Sequence, residues 1–413
     1  MIPYRKKTLP NGLTVAVNRD RASKLAAVNI LYRVGARNEE PARTGFAHLF
    51  EHLMFRGTHD VPNFDLPVQM ASGDNNAFTN NDYTDFYITL PKDNLETALW
   101  LESDRMEGLD ITAEKLETEK RVVIEEFRQR YLNQPYGDQT MLLRRLAYRV
   151  HPYRWAAIGR SPEHIARATL ADVEAFYRTH YRPSNAILSI SADLDEERMF
   201  DLAEKWFAPL TDRCTTPMPI PSEPRQRKAR RKEVERDVPA TTVTVAYHMG
   251  ARTDADFYTA DLISDLLAGG DSGRLYTHLV KEQELLSSVN AYITGDVDPG
   301  LFVFTGQLLP GIAPEQVETA FRKEIEALQR GEVTDYELEK VKNKFEANTL
   351  FGELNVMNKA MNLGFYEMLG DLSLINREVG CYRAVTRERI ADFCHRTLRA
   401  ENSSTLLYKA RQA

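Results

Sequence analysis

The ten residues VNILYRVGAR, 28 to 37, return as VTVAYHMGAR at 243 to 252, with Val, Tyr, Gly, Ala and Arg in register. The shift is about half the chain, so the period is too long for a solenoid or propeller and predicts one duplicated domain. Each copy reads as a strand, a polar turn and a helix-like run, TGFAHLFEHLMF after the first and YTADLISDLLAGG after the second. Further strands are expected at LTVAVNRD (13 to 20), DFYITLP (85 to 91), AILSIS (186 to 191) and LFVFTGQL (301 to 308), with long helices at 113 to 133 and 314 to 330. That order suits an α+β fold: two homologous α/β domains, each a mostly antiparallel sheet packed with helices. Composition changes at CTTPMPIPSEPRQRKARRK, where four prolines precede a basic run. The expected division is therefore an N-terminal domain 1–213, a linker 214–232 and a C-terminal domain 233–413.

Charge and cysteine content narrow the function. A net charge of −7 gives nucleic-acid binding no electrostatic support, and the basic run 225 to 236 reads as a solvated linker. Cys214, Cys381 and Cys394 are odd in number and widely spaced, which argues against a disulfide framework or a zinc knuckle. No stretch approaches 18 apolar residues, so no membrane span is expected. The N-terminus lacks an apolar run of signal length, so cytoplasmic location is the expectation; a chain trimmed of its signal, and so periplasmic, would read the same. AGGDSGR, 268 to 274, lacks the Gly-Lys-Ser/Thr of a phosphate loop. His151, His164, His180 and His248 are isolated and are expected in packing roles.

The chemistry concentrates in HLFEHLMFRGT, 48 to 58. On a helix, His48 and His52 lie one turn apart on one face and can aim two imidazoles at one point, with Glu51 near the same face. Two imidazoles and a carboxylate, with a fourth position for water, suit zinc, and a neighbouring Glu can take the water's proton. The order His-x-x-Glu-His is the inverzincin signature. Leu49, Phe50, Leu53, Met54 and Phe55 make this helix apolar almost all round, so its polar residues need partners. The missing carboxylate is sought in TAEKLETEKRVVIEEFRQRYL, 112 to 132, which Thr112 can cap. Glu119 and Glu126, seven apart, share a face with Val122 and Val123, and Glu125 points about 100° away as the rival ligand. Spacing alone does not separate Glu125 from Glu126.

HLFEH, GDNNAFTNNDYTDFYITLP (73 to 91) and EKRVVIEEFRQR (119 to 130), in that order and spacing, resemble the pitrilysin family of zinc metallopeptidases, in particular its short two-domain subfamily related to the mitochondrial processing peptidase. The resemblance implies an endopeptidase for unfolded or oligopeptide substrates, working in a dimeric chamber. It implies Zn2+ on His48, His52 and Glu126, Glu51 as general base and Glu119 as the carboxylate that orients a histidine. Asn76, Ala77 and Thr79 match the edge strand that takes substrate as an added β-strand. Active members carry an Arg and a Tyr, seven apart, in the second half; here those places hold Lys281 and Ser288, and no Arg of the second half has a Tyr seven residues on. Some members of the subfamily divide the work between two chains. The resemblance thus implies a metal-bearing partner for a homologous chain that carries the Arg-Tyr pair, or a subunit that is inactive alone or non-catalytic.

Overall fold

Both copies of the repeat are rich in β-branched and apolar residues, and both form buried central strands. The structure, a computed structural model, describes residues 1–213 and 218–411; Cys214 and the first residues of the expected linker lie outside them. The first sheet contains β1 (Arg5–Thr8), β2 (Thr14–Arg19), β3 (Leu25–Tyr32), β4 (Asp74–Thr79), β5 (Thr84–Pro91) and β6 (Ala186–Ala192), in the order β1-β2-β6-β3-β5-β4. The second contains β7 (Arg230–Arg236), β8 (Thr242–His248), β9 (Leu286–Ile293), β10 (Leu301–Leu308) and β11 (Ser403–Ala410), in the order β7-β11-β8-β10-β9. The repeated strands β3 and β8 hold equivalent central places. One parallel pair occurs in each sheet, β2 with β6 and β7 with β11, and the other pairings are antiparallel. The two sheets therefore share one plan, with β1 added to the first.

The described residues divide into two units. The first draws on Met1–Gln129, Trp155–Pro221 and Leu350–Arg377, the second on Arg130–Arg154, Ser222–Thr349 and Glu378–Ala413. These are not the contiguous halves 1–213 and 233–413. In the first unit, helix Val356–Met368 covers β3 and β6, packing Val356, Ala360, Leu363 and Tyr366 onto Ala16 and Ala27. In the second, helix Gln139–Ala147 covers β8 and β11, with Leu142 and Leu143 against Ala246, Leu406 and Tyr408. Each sheet buries an apolar face under a helix from the other half of the sequence, and no local pattern records such a pairing.

The basic run also differs from the expected linker. From Arg230 it becomes β7, an edge strand that pairs with β11 and keeps its side chains largely exposed. Wet on both faces, it shows charge where a half-buried strand would alternate. Among the described residues no helix is long and apolar enough to cross a membrane.

Candidate metal centre

The metal motif lies on helix Phe46–Leu53, which buries Phe46, Ala47, His48, Leu49, Phe50 and Leu53. Phe50 anchors it, stacking 5.3 Å from Phe176 and 5.1 Å from Tyr181, and Tyr181 in turn lies 4.8 Å from Tyr32 of β3. At its N-terminus Gly45 takes φ 92°, and a Cβ there would sit 2.7 Å from the Ile158 carbonyl. Only glycine meets both conditions, and glycine has no side chain to cap the helix. The cap comes from Glu39, whose Oε2 accepts from Gly45 N at 2.8 Å and Oε1 from Ala47 N at 2.9 Å. Burial pushes the Glu39 carboxyl up to about 8, against the opposing pull of those two N–H groups.

The opposing helix, Ala113–Phe127, starts where Thr112 Oγ1 accepts from Lys115 N at 3.2 Å. It ends in a π-helical turn, Arg128–Leu132. Its inward stripe is Leu116, Glu119, Val123 and Glu126; Val122, expected on that face, is 42 % exposed. Three residues on from Glu119 is about 60° short of a full turn, on the side away from Val123. Glu125 also faces out, 3.5 Å from Arg128. Glu126 therefore meets the histidines, with Oε2 3.7 Å from His48 Nε2 and 3.5 Å from His52 Nε2. The donor atoms of His48, His52 and Glu126 all lie within 4.8 Å of one another. Donors about 2.0–2.1 Å from a tetrahedral zinc are about 3.3 Å apart, so this set fits the ion after a small contraction.

Glu119 stands behind His52, with Oε2 3.4 Å from His52 Nδ1. Burial disfavours charge on His52, but the hydrogen bonds and charges of Glu119 and Glu126 prevail and raise the imidazole to about 9. A cation, proton or metal, belongs between those carboxylates. Glu51 is half-buried on the same helix, and its charge, after burial and Asp85 and Asp74, contributes to raising the Tyr87 phenol of β5.

Asn76, Ala77 and Thr79 lie on β4, at the open edge of the first sheet. Ala77 N donates to Asn76 Oδ1 at 2.8 Å, so one edge amide is held by its neighbour's side chain. Lys281 lies on the π-helical segment Tyr276–Glu282 with its ammonium 5.0 Å from the Tyr276 ring, and Ser288 lies exposed on β9. Both belong to the second unit, as do Cys381 and Cys394; Cys394 is buried, and burial pushes its thiol up to about 12. Two residues of the site were not legible from its motif: Glu39, nine residues before His48, and Arg56, whose Nη2 is 2.5 Å from Glu119 Oε1. Arg56 had a signal, since it follows His52 by one helical turn.

In the second unit, helix Phe257–Ala268 repeats the place of the metal helix. At the repeat's shift the counterparts of His48, Glu51 and His52 are Ile263, Leu266 and Leu267, all buried in the core. Duplicated α+β units, one with His-x-x-Glu-His facing a carboxylate and the other apolar there, define the two-domain inverzincin class of metallopeptidases. Residues 14–157 match the family described as Insulinase (Peptidase family M16), and residues 167–345 match the Peptidase M16 inactive domain. The zinc protease PqqE of Helicobacter pylori is 33% identical over 345 residues, 82% of this chain and 78% of that protein. The crystal structure of a protease from Helicobacter pylori superposes with a TM-score of 0.93 at 29% identity, covering 99% of this chain and 100% of that one. A probable mitochondrial-processing peptidase subunit beta of Arabidopsis thaliana is 25% identical over 72% of this chain and 58% of its own length. The chain belongs to the insulinase, or pitrilysin, family of metallopeptidases, peptidase family M16.

Proposed function

We propose that this chain is a zinc-dependent endopeptidase that cuts unfolded or oligopeptide substrates. The observation that carries the reading is the convergence of His48, His52 and Glu126 from two helices, with Glu51 in the same turn. Zinc held there would supply Lewis acidity toward the scissile carbonyl and toward water. Glu51 takes the proton of the attacking water and returns it to the leaving amine. Glu119 keeps the His52 Nδ1 hydrogen engaged, which leaves Nε2 free to bind. The β4 edge offers backbone hydrogen bonds to an extended peptide of any sequence, with the Ala77 amide exchanging its Asn76 contact for a substrate carbonyl.

The Glu51→Gln variant tests the reading: zinc content should stay near one per chain while turnover falls by at least about 100-fold, the ordinary share of a general base. Wild-type protein without zinc after metal-replete expression would sink the proposal.

A second reading rests on Lys281 and Ser288. Lysine lacks the planar fork of arginine, and serine is too short to reach as tyrosine does. In that reading the chain is the metal-bearing half of a heterodimer, inactive alone, as the Arabidopsis relative's name as a subunit suggests. Zinc-loaded chain that fails to cut a panel of unstructured peptides, and gains activity on addition of a homologous chain with the Arg-Tyr pair, favours it. Full activity of the isolated chain rejects it.

A further inference from the structure

The Glu119 carboxylate is only 1 % exposed, yet its two oxygens have different partners. Oε2 faces His52 Nδ1, and Oε1 faces the Arg56 guanidinium at 2.5 Å. Arg56 comes from the same stretch of chain as the histidine: His52 lies in the last turn of helix Phe46–Leu53, and Arg56 N donates to the Leu53 carbonyl just beyond it. The guanidinium thus bridges from the exit of the metal helix to the carboxylate of the opposing helix. Arg56 itself is 48 % exposed, so it brings little to the core and its removal need not open a cavity.

We infer that Arg56 is a positioning residue for the metal centre, acting through Glu119. By holding Oε1, it turns Oε2 toward His52 Nδ1 and so keeps the hydrogen on that nitrogen. Nε2, which faces Glu126 Oε2, is then the nitrogen left to give up its proton and offer a lone pair to a metal. Without the guanidinium a buried carboxylate loses its ionic partner and is free to rotate, and both tautomers of His52 become available. Charge gives a second reason. Glu51, Glu119 and Glu126 crowd two helices, and Arg56 supplies a fixed positive charge that does not compete for the ligand atoms.

The inference rests on the zinc reading above. Its test uses the purified full chain and measures the zinc dissociation constant by competition with a chromophoric chelator, together with apo and zinc-loaded Tm. Arg56→Met should weaken zinc binding by about 10- to 100-fold, the usual effect of losing a residue that orients a ligand, while the apo Tm stays near that of wild type. Arg56→Lys should recover part of the loss. In a Glu119→Gln background, Arg56→Met should add little, because the path runs through that carboxylate. Wild-type zinc affinity in Arg56→Met overturns the inference and leaves the zinc reading intact. So does a lowered apo Tm with unchanged affinity, which marks a merely structural role, or full additivity of the two losses. A wild-type chain that binds no zinc overturns both.

Discussion

Glu39 sets the frame for His48 although it belongs to a separate turn. Its two oxygens accept from the Gly45 and Ala47 N–H groups at the start of the metal helix, where Gly45 itself offers no side chain. Glu39→Ala leaves both donors buried without an acceptor, a cost of about 2 kcal/mol or more, and urea unfolding should show the loss. His180 provides a pH signature. Burial first, and then the nearby Arg182, lower its imidazole to about 4, and its ring packs 4.5 Å from Phe176. Its folded value lies below the unfolded one, so the folded state refuses a proton that the unfolded chain accepts. Its contribution to stability is complete above about pH 6.5 and is lost as pH falls toward 4. Between pH 7 and pH 4.5 it should account for roughly 2–3 kcal/mol of lost stability. His180→Phe should remove that part of the slope, as read from urea unfolding at the two pH values.

At the scale of elements, the close approach of helix Val356–Met368 to the first sheet depends on small residues. A Cβ on Gly364 would lie 2.8 Å from Asn29 Oδ1 and 3.3 Å from Ser189 Oγ. Asn29 cannot swing aside freely, because its Nδ2 is hydrogen-bonded to the buried Asp85. In an open helix Gly→Ala would stabilise by about 1 kcal/mol. Here overpacking should win, and Gly364→Ala should destabilise by about 1–3 kcal/mol, seen as a lower urea midpoint. The strands were legible because burial demands apolar and β-branched residues: β10 spans Leu301–Leu308, the stretch expected from LFVFTGQL, and buries Leu301 to Phe304 in succession. β7 was not, because an exposed edge carries no such apolar run. The helix bearing Glu119 was legible in its start and in the inward Glu119 and Val123, but Val122 turned outward and the turn Arg128–Leu132 widened beyond the regular helix its sequence suggests.

For the whole molecule, the exchange of segments makes each unit depend on both halves of the sequence. Residues 1–213 alone would lack Leu350–Arg377 and leave Ala16 and Ala27 facing water where Leu363, Tyr366 and Ala360 now cover them. That fragment should bind a hydrophobic dye and show poorly dispersed amide spectra, and co-expression with residues 218–413 should restore a folded product. Well-dispersed spectra from 1–213 alone would refute this dependence. What the sequence determined by itself was periodic or repeated: the duplication, the strands buried on at least one face, and the two histidines and Glu51 set on one helix by the 3.6-residue turn. Tertiary structure alone decided that Glu126 and not Glu125 meets them, that Glu39 caps their helix, that the Arg56 guanidinium reaches Glu119, and that each sheet borrows a helix from the other half. Those choices depend on which surfaces meet in space, from six residues apart for Glu39 and Gly45 to hundreds for the borrowed helices, and no local period carries the information.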